Sequence, residues 1–149
     1  MKALDIPPVW LALALILAWL QSRYLPVLRW QGGGMAEFVG NFLAVAGLVL
    51  MGLAIREFYK ARTTPIPRRD PSALISTGVF AMTRNPIYLG DALLLSGLIL
   101  RWEAALSLVL IPAFVWLIDQ RFIKAEEARL RTVFGSDFEA YAAKVRRWV

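Results

Sequence analysis

The sequence contains no cysteine and no histidine. Without cysteine there can be no disulfide framework, thiol nucleophile or cysteine-ligated metal. Without histidine the commonest general base and the commonest metal ligand are missing as well. Any chemistry falls to Asp, Glu, Lys, Arg, Tyr, Ser, Thr or Asn, or to a bound cofactor, and no metal site is expected. Acidic residues are in the minority, 11 against 17 Lys and Arg, for a net charge of +6. In a soluble domain that excess would point to nucleic acid. Here 58% of the 149 residues are hydrophobic, more than a soluble domain usually carries, and the cations border apolar runs. Membrane topology and anionic lipid then account for the basic rim, and nucleic acid is not an expected partner. There is no internal repeat, no low-complexity stretch and no Gly-rich phosphate loop following a strand.

The hydrophobic pattern predicts one all-α, polytopic membrane domain over 1–149. About four transmembrane helices are expected, at 8–28, 36–58, 87–101 and 104–120, the last kinked at Pro112. The first run follows only Lys2 and Asp5 and lacks a small-residue cleavage site, so it reads as a retained span. Gln21, Ser22 and Arg23 weaken its far end. Arg56, Lys60, Arg62, Arg68, Arg69 and Arg84 fall between spans two and three. Arg121, Lys124, Arg129, Arg131, Lys144, Arg146 and Arg147 follow span four, whereas only Arg23, Arg29 and Arg101 lie on the other side. The positive-inside rule therefore places both termini and the 59–86 loop in the cytoplasm, and Gly32–Gly34 forms a flexible outer loop. Residues 121–148 read as cytoplasmic amphipathic helices. Gly135 ends one, Ser136 and Glu139 form a capping box for the next, and Phe138, Tyr141, Val145 and Trp148 share a face.

Within this pattern the stretch TRNPIYLG, residues 83–90, is out of place. Pro86 suits the first turn of a helix and biases Asn85 away from helical conformation. Span three leaves the cytoplasmic rim near residue 87, and span four returns near residue 121. At 1.5 Å rise per residue the two legs match in length, so Glu126 and Glu127 come back within reach of Arg84, Asn85 and Tyr88. Carboxylates there can hold ribose hydroxyls or face a cation, and Arg84 can hold a carboxylate. Plainer readings stand beside this one. Asn-Pro is a common helix start, Glu127 and Arg131 are spaced for an ordinary helical ion pair, Asp91 can complement the first turn of span three, and Gly40 with Ala44 suits close helix packing.

DPSALISTGVFAMTRNPIYLG followed by KAEEARLRTVFGSDFEAYAAKVRRW resembles the isoprenylcysteine carboxyl methyltransferases and the related phospholipid methyltransferases. The matching features are a Leu-x-Ser-x-Gly-Val-aromatic turn, Arg-Asn-Pro-x-Tyr-x-Gly, the Glu-Glu pair, Phe-Gly, and a terminal Val-Arg-Arg-Trp, in order over residues 63–149. The resemblance implies a membrane-embedded methyltransferase that uses S-adenosyl-L-methionine and a lipophilic acceptor entering from the bilayer. It implies cofactor contacts from Ser72, Ala73, Leu74 and Ile75, from Phe80, from Asn85, Pro86, Ile87 and Tyr88, and from Glu126 supported by Glu127. Arg84, Tyr88 and Glu126 are the expected catalytic set. Some relatives carry an acceptor-binding arginine where this chain has Phe122, which leaves the adjacent Arg121 as the substrate candidate. The short loops suit a prokaryotic cell membrane. Methyl transfer to a lipid amine, an NADPH-dependent reductase using Arg68 and Arg69, and a non-catalytic membrane protein are the alternatives, and the oligomeric state stays open.

Overall fold

The computed structural model describes residues 5–25, 33–63 and 72–149. All regular structure among them is helical. Helix α1 covers Pro7–Tyr24 and α2 covers Gly33–Lys60. A single 3-10 turn, Gly78–Ala81, precedes α3, Pro86–Arg101. The chain then forms one long helical run of changing pitch: a 3-10 segment Ala105–Val109, α4 Leu110–Ile118, a wider π turn Asp119–Ile123, and α5 Lys124–Phe134. Gly135, at φ +50°, breaks the run, and α6 follows as Ser136–Lys144. The last residues of the expected first span, the outer-loop residue Gly32, and Arg29, Arg68 and Arg69 lie outside the described residues.

Several boundaries differ from the sequence reading. The fourth span was expected over 104–120 with separate helices beyond it, but the helical run continues to Phe134. Pro112, the expected kink, falls next to a change of helical pitch. It sits in the first turn of α4, just after the 3-10 segment, where a missing N–H is tolerated. The Ser136–Glu139 capping box does not form: Gly135 occupies the N-cap position with no side-chain bond, and Glu139 instead accepts from Arg131 Nε at 2.7 Å. A cation across a tight turn outcompetes the local backbone donor.

Two helices, Gly33–Lys60 and Ala105–Phe134, are long and apolar enough to cross a membrane; α1 and α3 have 18 and 16 residues. Large apolar side chains such as Ile16, Trp19, Phe38, Phe42, Leu48 and Trp116 are exposed on the outer faces, as lipid contact requires. The interior holds Leu95 and Ile99 of α3 against Phe114, Ile118, Phe122 and Ile123, with Ala14 and Ala18 of α1 closing the side. Gln21, which made the first run look weak, is used internally: its Oε1 accepts from Ser107 N at 3.3 Å and Ser107 Oγ at 3.1 Å.

The tightest seam joins α2 and α3. Gly40 and Gly47 face Gly97 and Gly90 so closely that backbone meets backbone, the small-residue packing that lets membrane helices approach. At the C-terminal end of α2, Glu57 accepts from Lys60 Nζ at 2.7 Å and from Thr77 Oγ1 at 3.4 Å. Gly78, at φ +59°, lies against the same carboxylate, where a Cβ would come within 2.8 Å of Glu57 Cδ. Glycine is therefore required there both for its backbone angle and for space.

Candidate active site

Arg84 occupies the extended link before α3. Its Nε and Nη2 donate to Glu127 Oε1 at 3.2 and 2.9 Å, and its Nη1 donates to the carbonyl of Ala142 at 3.0 Å and to that of Val145. The main chain repeats the pattern. Arg84 N donates to Arg146 O at 3.0 Å, Thr83 Oγ1 to Arg147 O at 3.1 Å, and Asn85 Nδ2 to Arg147 O at 3.0 Å. The Arg-Asn-Pro corner thus grips the segment after α6, and the Asn85 amide is engaged there instead of capping α3.

Glu127 anchors the same segment from the other side. It accepts from Arg147 Nε at 3.1 Å and from Arg147 Nη2 at 2.7 Å, while Arg147 Nη1 reaches Asp119 Oδ1 at 3.0 Å. Hydrogen bonding to Glu127 holds the Arg147 guanidinium above its ordinary pKa. Arg131, the helical partner expected for Glu127, is turned to Glu139. Sequence reasoning missed Thr83, Asp119 and Arg147. The terminal Val-Arg-Arg-Trp was a signal for Arg147, but nothing local identifies which carboxylate it meets.

Adjacent residues on α5 point about 100° apart, so Glu126 faces a different neighbour. Tyr88 OH donates to Glu126 Oε1 at 2.7 Å, and Glu126 Oε2 accepts no hydrogen bond from the described residues. Phe80 meets Phe58 edge-on at 5.4 Å, and its carbonyl accepts from Tyr141 OH at 2.6 Å. Burial pushes the Tyr141 phenol up to about 12. Replacing Tyr141 with Phe leaves that buried carbonyl without its donor, and we expect a loss of about 1–2 kcal/mol in detergent thermal unfolding. Ile87 packs on the cluster of Ala54, Ile75 and Phe80, and Pro86 is buried. Ala73 and Leu74 are half-buried, while Ser72 is exposed, with its N–H on Thr63 Oγ1 at 3.1 Å. Arg121 stands apart from this group. It donates to Asp5 Oδ2 at 3.2 Å and lies over Trp10, while Phe122 is in the core.

A surface groove of about 540 Å³ lies on the other side of the ionic knot. Pro112, Val115, Trp116 and Trp148 give it apolar walls, and Arg84, Asp119 and Arg147 a charged end. Tyr88 and Glu126 do not line it.

Helices with lipid-compatible outer faces, packed so that ionic side chains gather at one end, define a helical membrane protein. The family model for phospholipid methyltransferase matches residues 35–137, and the chain belongs to that family. It is 31% identical over 111 residues to a probable protein-S-isoprenylcysteine O-methyltransferase of Oryza sativa subsp. indica, covering 73% of this chain and 58% of that protein. It is 25% identical over 107 residues to the protein-S-isoprenylcysteine O-methyltransferase of Schizosaccharomyces pombe, covering 72% of this chain and 43% of that one. The chain therefore spans about half the length of these curated relatives. No solved structure matches it. The family match ends at residue 137, so both glutamates lie inside it and the segment held by Arg84 and Glu127 lies beyond.

Proposed function

We propose that the chain is an S-adenosyl-L-methionine-dependent methyltransferase acting on a lipophilic acceptor at the cytoplasmic face of the membrane. In this reading α1, α2, α3 and the run beginning at Ala105 all cross the bilayer, with both termini in the cytoplasm. The observation that carries the proposal is the Tyr88–Glu126 contact. It joins an aromatic ring to a carboxylate whose second oxygen accepts no hydrogen bond from the described residues, and Tyr88 lies one position along α3 from Ile87, which packs on Ile75 and Phe80.

That donor set fits the cofactor. Glu126 Oε2 can accept from a ribose hydroxyl, Phe80 and Tyr88 offer apolar faces to a purine or to a sulfonium, and the backbone of Ser72–Ile75 can meet polar edges. The cofactor supplies an electrophilic methyl group whose leaving group is a neutral thioether, so the transfer itself requires neither metal nor imidazole. Ile87, half-buried, would border the site, and Pro86, itself buried, fixes the start of α3. Arg84 holds the 142–147 segment and keeps the rim closed, which makes it a positioning residue. Alignment of two bound reactants can supply roughly 7–11 kcal/mol of acceleration at best. Arg121, engaged by Asp5 and Trp10, would then serve the acceptor only from the far edge of the rim.

Calorimetry on the detergent-purified chain tests this reading. S-adenosyl-L-methionine should bind and NADPH should not. Glu126→Gln should weaken cofactor binding about 30-fold, the loss of one charge-assisted hydrogen bond. Undiminished affinity in that variant, or NADPH binding in place of S-adenosyl-L-methionine, would refute the assignment.

A further inference from the structure

Glu57 places a carboxylate where a helix does not favour one. It lies in the last turn of α2, and the C-terminal end of a helix dipole repels an anion. It is buried all the same. It shares a face of α2 with Ala54, Phe58 and Ala61, and that face is otherwise apolar. Ile75 and Phe80 cluster with Ala54 there, and the Phe80 ring meets Phe58 edge-on. Apolar contact thus holds both ends of the stretch 75–80. Between them come Ser76, Thr77 and Gly78, all exposed and without a large apolar side chain. Glu57 holds this middle part. Gly78 lies so close that a Cβ would stand within 3.0 Å of Glu57 Cγ, Cδ and Oε1. Thr77 occupies the N-cap position of the Gly78–Ala81 turn without capping it. Its hydroxyl donates to Glu57 Oε2 at 3.4 Å instead. The ion pair with the exposed Lys60 uses the other oxygen. Such a pair contributes little by itself, and it explains neither the burial nor the contact with the turn.

We propose that Glu57 is a positioning residue of the cofactor pocket: by seating the 76–78 turn on α2 it sets Phe80 relative to the 72–75 backbone. This rests on the methyltransferase reading and adds to that same site a residue from outside the 63–149 motifs. Both Glu57 oxygens are engaged, so Glu57 acts through the turn and not on the cofactor. Phe80 N donates to Thr77 O at 3.1 Å, so a shift at Thr77 passes directly to Phe80. Ser72 is fixed separately, its N–H on Thr63 Oγ1 and its hydroxyl on Arg62 O. Without the carboxylate, Ser72 keeps these bonds and Phe80 keeps Phe58 and Tyr141. The turn that joins them loses its polar anchor. Two parts of a pocket that are no longer held in register must be ordered as the ligand binds, which weakens binding.

The test titrates the full chain in neutral detergent with S-adenosyl-L-methionine, at a temperature where every variant is folded, and follows amide exchange over 76–81. Glu57→Ala should weaken cofactor binding about tenfold, the scale of one lost hydrogen bond and its packing. Exchange over 76–81 should quicken by about the same factor, because the turn opens locally. Glu57→Gln should stay within about threefold of wild type, since its amide oxygen still accepts from Thr77 and its chain still backs Gly78. Lys60→Met breaks the ion pair but spares the turn, so its affinity should change by less than about twofold. Glu57→Ala with wild-type affinity would overturn the positioning role. So would Lys60→Met matching the loss in Glu57→Ala, because the ion pair alone would then account for it. A wild-type chain that binds no S-adenosyl-L-methionine would refute the methyltransferase reading itself, and the pocket that Glu57 serves would fall with it.

Discussion

Glu127→Ala should destabilise the chain by about 3 kcal/mol and release everything after Lys144. Glu127 is only 3% exposed and is the common acceptor of Arg84 and Arg147. Removing one partner of a buried ion pair typically costs about 3–5 kcal/mol, because the opposite charge stays buried without compensation. The lower end applies here, since the Arg147 side chain is 31% exposed and water can partly replace its lost partner. Arg147→Ala should cost less, as Glu127 keeps Arg84. The double variant should show 1–3 kcal/mol of coupling in a thermodynamic cycle, about what contacting network members give. Detergent thermal unfolding measures the energies, and trypsin reports the release, because Arg146 and Arg147 become cleavable once their carbonyls leave Arg84, Thr83 and Asn85. Additive single variants, or a terminus that resists trypsin in Glu127→Ala, would mean that the knot does not hold the segment.

The meeting of residues 84–88 with 126–127 was legible in the sequence because it follows from helical rise: two legs of similar length must return to the same rim. The division of labour between the two glutamates was not. Spacing allowed Glu127 to pair with Arg131 one turn away, and only the packed chain offers Arg84 and Arg147 in better geometry. The π turn at Asp119–Ile123 was equally hidden, since one extra residue per turn leaves no mark on hydrophobic periodicity; it occupies the stretch that carries Asp119 and Arg121. Gly78 was readable as a turn glycine, but its second constraint comes from Glu57, twenty-one positions earlier. Local motifs failed where long-range charge intervened, as at Ser136 and Glu139. They succeeded where the backbone alone decides, as at Pro86 and Gly135.

The α2–α3 seam yields the other large effect. Gly97→Ala should cost about 3 kcal/mol, and Gly97→Leu should prevent recovery of folded protein. A Cβ on Gly97 would lie 2.5 Å from Gly40 O and 2.6 Å from Ala44 N. Both are backbone atoms of a rigid helix, so no side chain can swing aside. The helices must part, and overpacking without relaxation costs 1–3 kcal/mol or more. Gly40→Ala meets the reciprocal obstruction, Gly97 O at 2.6 Å and Arg101 N at 2.8 Å, and should behave alike. Gly52 is the internal control: it lies on the same helix, but a Cβ there meets nothing within 4 Å. Gly52→Ala should therefore be neutral or stabilising by up to about 1 kcal/mol, the helix-propensity difference. The three variants share one chemical change, so a ranking by thermal unfolding isolates the seam. Separating α2 from α3 also moves Glu57 away from Thr77 and Gly78, which would loosen the 72–80 segment. Cofactor affinity should then fall in Gly97→Ala but not in Gly52→Ala. Equal stability of the Gly97 and Gly52 variants would show that the helices do not approach at Gly40 and Gly97, and the placement of the rim that depends on that contact would fall with it.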